Sequence, residues 1–257
     1  MNVPKKSLGQ HWLTDIEVLE AIAESAEIKP TDTILEIGPG LGSLTHSLIG
    51  QARHVIAVEK DEELAAKLSG SMKGKPVQVI AADILKFDLT QLPTRYKVVA
   101  NIPYYLTSNL LRVLSESINP PYMMVLLVQK EVAERICSEP GQMSLLAVSV
   151  QLYYTAELGI SVAAEKFDPP PKVDSQVVVL RRHKKPLFHD LDNQKFFRVV
   201  KAGFSGKRKK LRSSLSAGLQ LTKDQADELL KKAGIDGDLR AQSLSLQDWY
   251  KLYKNLS

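Results

Sequence analysis

Asn101-Ile102-Pro103-Tyr104 brings an amide, a rigid proline and an aromatic ring together within four residues. An Asn side-chain oxygen and nearby backbone carbonyls can accept the hydrogens of an exocyclic amine, and a tyrosine ring offers a flat base a face to stack on. Such a group can aim an adenine amine at a bound electrophile. Upstream, Glu36-Ile37-Gly38-Pro39-Gly40-Leu41-Gly42 sets glycines at alternate positions, where backbone can approach a ligand closely. The spacing is G-x-G-x-G rather than the G-x-G-x-x-G expected for a dinucleotide pyrophosphate. Glu59 lies about 20 residues beyond Gly38, where an acid takes ribose hydroxyls, and Asp83 follows in Ala81-Ala82-Asp83-Ile84, with Ile84 able to lie on an adenine face. A ribose-binding acid would serve NAD equally. Hydride transfer, however, has no use for the Asn101–Tyr104 group, whereas methyl transfer to a base amine does. The combination therefore points to S-adenosylmethionine rather than NAD, with adenine in a nucleic acid as acceptor.

These residues need a scaffold that brings strand ends together. Short apolar runs over 33–37, 54–58, 77–81, 97–101 and 122–129 alternate with helical patterns over 43–49, 61–68 and 108–116. Strands separated by single helices imply right-handed crossovers and a parallel sheet covered on both faces. Ligands then bind beyond the carboxyl ends of the strands, where the motifs fall. The proline-rich stretch Phe167-Asp168-Pro169-Pro170-Pro171-Lys172-Val173-Asp174-Ser175 is excluded from helix and central strand. A strand is expected over 175–180. From about Pro186 onward only helical signals remain, over 193–202, 207–215, 222–233 and 247–253. Thr222 with Gln225 forms a capping box, and Gly234 is a stop.

Composition narrows the class. The apolar fraction of 44% suits a globular core, and the one cysteine, Cys137, excludes a disulfide framework and a multi-cysteine zinc site. Cys137 is expected as a buried thiol within a helical run. No metal-ligand spacing is evident among the histidines, so no metal is expected. No apolar segment approaches the roughly 20 residues of a membrane span, and the N-terminus lacks the apolar stretch of a signal peptide, so the expected location is the cytoplasm. Between Arg181 and Arg212 twelve basic residues face only Asp190 and Asp192, while the whole chain is +5. A basic segment on a mildly acidic body suits docking to a polyanion. Lys207, Arg208, Lys209, Lys210 and Arg212, at the expected start of a helix, are the first candidates for RNA contact, and Arg181 and Arg182 the next.

Four segments resemble those of the rRNA adenine dimethyltransferase family: Ser7-Leu8-Gly9-Gln10-His11-Trp12-Leu13, Glu36 to Gly42, Asn101 to Tyr104, and Phe167 to Ser175. Glu59 and Asp83 fall in register, and the resemblance spans essentially the whole chain. The resemblance implies an α/β fold, a Rossmann-like seven-stranded S-adenosylmethionine-dependent methyltransferase sheet over 1–185, with a small all-helical rRNA-contacting domain over 186–257. It implies that His11 and Leu13 contact the cofactor, that Gly38 lies beside its methionine part, that Glu59 takes the ribose and Asp83 the adenine amine. Asn101 would sit between cofactor and target base, with Tyr104 and Phe167 sandwiching that base. The implied activity is dimethylation of two adjacent adenines in small-subunit rRNA within an immature ribosomal particle; a monomer is expected separately, since no exposed apolar helix demands a dimer. Two departures stand out: His11 replaces a frequent Asn, and Tyr105 replaces an Asn after the aromatic. A large-subunit rRNA methylase and an assembly factor acting chiefly by binding are the alternatives.

Overall fold

The computed structural model describes residues 10–206 and 208–256; Ser7, Leu8 and Gly9 of the N-terminal motif and Lys207 of the basic run lie outside the described residues. Two compact units result. One comprises the chain to Glu134 with Tyr154–Arg182, the other Arg135–Tyr153 with the chain from His183.

The first unit opens with β1 (Trp12–Leu13) and α1 (Ile16–Ser25), whose N-cap Asp15 accepts from Val18 N and whose Leu19, Ile22 and Ala23 are buried. Then come β2 (Thr33–Ile37), α2 (Ser43–Leu48), β3 (His54–Glu59), α3 (Glu62–Ser71), β4 (Val77–Ala81), β5 (Lys97–Asn101), α4 (Thr107–Glu116) and β6 (Met123–Gln129). After α5 (Lys130–Ile136) and α6 (Leu145–Gln151) the sheet resumes with β7 (Tyr154–Val162), β8 (Phe167–Asp168) and β9 (Ser175–Arg182). The seven-stranded sheet runs β4-β3-β2-β5-β6-β9-β7, and β1 pairs separately with β8. The five strands from β4 to β6 are parallel, as the alternating pattern predicts. β9 is antiparallel to both β6 and β7, and the segment over 163–174 that joins β7 to β9 carries β8 but no crossover helix. The chain moves outward from β2 to β4, then returns to β5 on the other side of β2. The switch point thus lies between β2 and β5, with the glycine turn at one strand end and Asn101 at the other. β6 is buried along Met123–Val128, and β2 is buried over Ile34–Ile37. Each fully buried Leu, Ile or Val contributes roughly 1.5–3 kcal/mol relative to exposure.

The second unit joins α6 to α7 (Asn193–Phe204), α8 (Leu211–Leu219), α9 (Lys223–Ala233) and α10 (Leu246–Asn255) around a fully buried Trp249. The Thr222–Gln225 capping box is present, and Gly234 closes α9 in the left-handed region. A boundary at 185 leaves residues 135–153 with the sheet, yet Met143, Ala147, Val148 and Leu152 pack in the helical core, and Gly141 N and Met143 N both donate to Gln242 O. Two local expectations change. Cys137 lies just past α5 and is only partly buried, and the basic run precedes α8 rather than opening it, since α8 begins at Leu211. Lys210 is the N-cap of α8, and Arg212 in its first turn is offset there by Asp227 and Asp238, where the helix dipole is itself positive.

Candidate active site

The cleft beyond the carboxyl ends of β2, β3 and β5 is lined by all the expected cofactor residues: His11, Leu13, Gly38, Glu59, Asp83 and Asn101. Tyr104 and Phe167 line it too. The glycine turn is built on left-handed backbone, with Gly38 at φ +66° and Gly42 at φ +83°. Gly42 serves packing rather than a ligand, for a Cβ there would stand 2.4 Å from Leu68 Cδ1. The turn is tied to the second acid: Gly40 N donates to Glu59 Oε2 at 3.0 Å, and Asp61 N to Oε1 at 2.9 Å. Asp83 stands at the rim, where its Oδ2 pairs with Lys60 Nζ at 2.9 Å and its Oδ1 accepts from Leu85 N. The Lys60 ammonium beside it holds the Asp83 carboxyl below its ordinary range.

Asn101 ends β5, lines the cleft and donates from Nδ2 to His11 O at 3.3 Å, which leaves Oδ1 as the side chain's acceptor. Pro103 caps a single 3-10 turn, Tyr104–Leu106, that leads into α4. Tyr104 donates to or accepts from Ser175 Oγ at 2.8 Å, and its ring stacks on His11 with centroids 5.9 Å apart. His11 Nδ1–H in turn donates to Pro169 O at 2.7 Å. That imidazole therefore braces the proline loop and the tyrosine. Phe167, at 4% exposure, packs with Leu13 in the core and offers the cleft little surface, because β8 is paired to β1 at that residue. Tyr105, by contrast, is 60% exposed and lines the same cleft.

Two cleft groups went unread in the sequence. Glu36 is 1% exposed, its Oε2 has no hydrogen-bond partner among the described residues, and it lines the cleft beneath the glycine turn. Burial, opposed in part by Thr45 and reinforced by the nearby Glu59 carboxylate, pushes its carboxyl up to about 8. Trp12 Nε1 is likewise buried without a partner, beside Gly40. A buried acceptor and a buried donor left open in one cleft invite a polar ligand that supplies the complement. No group of three His, Cys, Asp or Glu among the described residues is placed to hold a metal.

The basic candidates divide. Arg208 and Lys209 are exposed. Lys210 pairs with Asp238 at 3.0 Å, and Arg212 with Asp238 at 2.6 Å and Asp227 at 3.6 Å. Arg181 is paired with Glu27 and Glu157, and Arg182 donates to Ser115 O and Tyr154 Oη. Those two arginines are engaged within the sheet unit, as Lys210 and Arg212 are engaged with Asp227 and Asp238.

The profile of the ribosomal RNA adenine dimethylase family matches residues 1–257. The chain belongs to that family. Membership makes it an rRNA adenine dimethyltransferase, and its chemistry requires a methyl donor. Among curated proteins it is 42% identical over 252 residues to a ribosomal RNA small subunit methyltransferase A of Dehalococcoides mccartyi, covering 96% of this chain and 87% of the relative. It is 39% identical to a protein of the same description from Streptococcus thermophilus, covering 96% and 90%. Among solved structures, a dimethyladenosine transferase from Plasmodium falciparum superposes with a TM-score of 0.81 at 26% identity, covering 94% of this chain and 96% of that one. The 23S rRNA methyltransferase ErmE superposes at 0.76 with 29% identity, covering 95% and 99%. The family's fold is thus present across both units. No helix among the described residues is long and apolar enough to cross a membrane.

Proposed function

We propose that this dimethyltransferase moves methyl groups from S-adenosylmethionine to the exocyclic amines of two adjacent adenines in small-subunit rRNA, giving dimethyladenosine during ribosome biogenesis. The observation that carries the reading is Asn101 at the switch point, lining the cleft together with Gly38 and Tyr104 and with its Nδ2 committed to His11 O, so that Oδ1 is its acceptor. When bound, S-adenosylmethionine supplies an electrophilic methyl carbon on a sulfonium. Gly38 and the open Glu36 Oε2 suit its charged amino-acid end, Glu59 its ribose and Asp83 its adenine, while His11 and Leu13 close the cleft from the N-terminal side.

The chain's own residues then act on the acceptor. The adenine amine is a poor nucleophile, since its lone pair is delocalised into the ring. Asn101 Oδ1 and a backbone carbonyl such as that of Ile102 accept its hydrogens and favour a tetrahedral nitrogen. Tyr104 stacks on the base, worth about 1–3 kcal/mol, and holding the reactants in line recovers roughly 7–11 kcal/mol of barrier. Tyr105, rather than the more buried Phe167, has the exposed surface for a second contact. The target base must be single-stranded or flipped, since its amine is out of reach in a duplex. Arg208 and Lys209, with Lys207, Lys210 and Arg212, supply phosphate contacts within an immature particle, and the protein works as a cytoplasmic monomer.

The test is methyl transfer from labelled S-adenosylmethionine to undermethylated small ribosomal subunits, followed by nucleoside mass analysis. Dimethyladenosine from the wild type and none from Asn101→Ala is the expected result. The likeness to a 23S rRNA methyltransferase keeps a second reading in view: transfer to large-subunit RNA alone would replace the first. Tight particle binding without any transfer would leave an assembly factor.

A further inference from the structure

At the opposite end of the sheet, where the strands begin, the sheet unit carries a second concavity that the methyl-transfer site does not use. Three exposed cations converge there: Lys29 after α1, Arg53 before β3, and Arg95 before β5. None of the three forms an ion pair with a carboxylate among the described residues. The hydroxyl residues Thr31, Thr33 and Thr94 line the same concavity.

The one acid in the concavity, Asp32, is already engaged. Its Oδ2 accepts from the Lys97 ammonium at 2.8 Å and from Lys29 N at 2.9 Å, and Lys97 itself is 2% exposed. The acid therefore cancels a buried charge rather than the exposed ones. Lys29 feels Asp32 and Glu27 at a distance, but Arg53 and Arg95 have no carboxylate ion pair among the described residues, so the cluster keeps a net positive charge that favours an anion. Arg95 is also held in place. It sits at φ +63°, a region that costs a non-glycine residue about 1–2 kcal/mol, and its guanidinium lies 4.8 Å from the centre of the Tyr122 ring. A guanidinium fork braced on an aromatic ring, a second arginine, an ammonium and three threonine hydroxyls in one concavity supply donors suited to the oxygens of a phosphate.

We infer that this concavity is a second RNA-contact site, which grips a backbone phosphate of the substrate at the end of the sheet away from the methyl-transfer cleft. The inference rests on the reading of the protein as an RNA methyltransferase. Thr33 and Lys97 start the strands that end at Ile37 and Asn101, so the two sites are separated by at least roughly 13 Å at about 3.3 Å per residue. An RNA that reaches both must pass round the sheet unit, so it extends beyond the base held in the cleft. The site therefore selects for the architecture of the RNA around the target rather than for its sequence, because phosphate contacts position without reading bases.

The test compares wild-type protein with Arg53→Ala/Arg95→Ala, both full-length, in binding to undermethylated small ribosomal subunits over a series of KCl concentrations. The double variant should bind about tenfold more weakly near physiological salt, and the slope of log affinity against log salt should shrink by about one to two. Affinity for S-adenosylmethionine should stay the same, which also reports an intact fold. Arg53→Lys/Arg95→Lys should restore most of the salt slope and only part of the affinity. An unchanged affinity and slope in the alanine variant would overturn the inference. So would binding of inorganic pyrophosphate, seen by calorimetry and lost in the variant, with particle binding untouched; that outcome assigns the site to a free phosphorylated small molecule. Because the readout is binding, it stays informative if the wild type forms no dimethyladenosine, the separate result that would sink the functional reading.

Discussion

Glu36 is the residue whose chemistry differs most from its appearance in the sequence. With its carboxyl pushed up to about 8, the ligand-free protein holds a proton there that the unfolded chain, near 4.5, has lost. Between those two values the folded state binds the extra proton, so this group's contribution to stability falls as pH rises through the window and levels off above about 8. Glu36→Gln should flatten that slope: thermal unfolding of the variant should match the wild type near pH 5 and exceed it near pH 8, by an amount on the order of a few kcal/mol. The same proton should report cofactor binding. A cationic group against Oε2 favours the carboxylate, so binding near neutral pH releases up to about one proton. Calorimetry in two buffers of different ionisation enthalpy measures it. Equal release by wild type and Glu36→Gln would remove Glu36 from the account.

At the scale of elements, the glycine turn is as much a joint as a cradle. Gly42→Ala forces a Cβ toward Leu68 at an unfavourable φ, and should cost about 1–3 kcal/mol in thermal unfolding, with α3 displaced from the turn. An unaltered melting temperature would show that α3 gives way freely. Here the limits of the sequence are also visible. β2 to β6 announced themselves because each is a compact apolar run between turns, and the caps of α9 are local chemistry. β1 has two residues and exists only through its pairing with β8, more than 150 positions away, which no window can sense. α1 did leave a signal in the spacing of Leu19, Ile22 and Ala23 behind Asp15. So did β7, where Tyr154, Ala156, Leu158, Ile160 and Val162 alternate with smaller or polar residues. The cleft residues Glu59, Asp83 and Asn101 were legible because their types and spacing repeat the family pattern, and His11 by its place in the N-terminal motif despite its departure in type. The buried state of Glu36 was not, since a carboxylate's solvation depends on packing from several strands at once.

For the whole molecule, affinity for RNA is a matter of which charges remain unspent. Twelve basic residues crowd the segment from Arg181 to Arg212, but the ion pairs to Glu27, Glu157, Asp227 and Asp238 take several of them. Arg208→Ala/Lys209→Ala should therefore reduce the salt slope of particle binding by about one to two, whereas Lys210→Ala alone changes it by less than one. Salt titration of both variants checks the ranking. From His11 the chain runs through β1 and α1 to Ala26 and Glu27, whose carbonyls clasp the Lys97 ammonium at 2.7 and 2.6 Å. Lys97 begins β5, β5 ends at Asn101, and the Asn101 amide returns to the His11 carbonyl. The path closes on itself like a hoop. Loosening it at Lys97→Met, which also strands Asp32 at a cost of about 3 kcal/mol, should lower kcat at temperatures where the variant is still folded, although that side chain never meets the substrate. The stiffness of the amide that aims the adenine is stored around the circumference of that hoop.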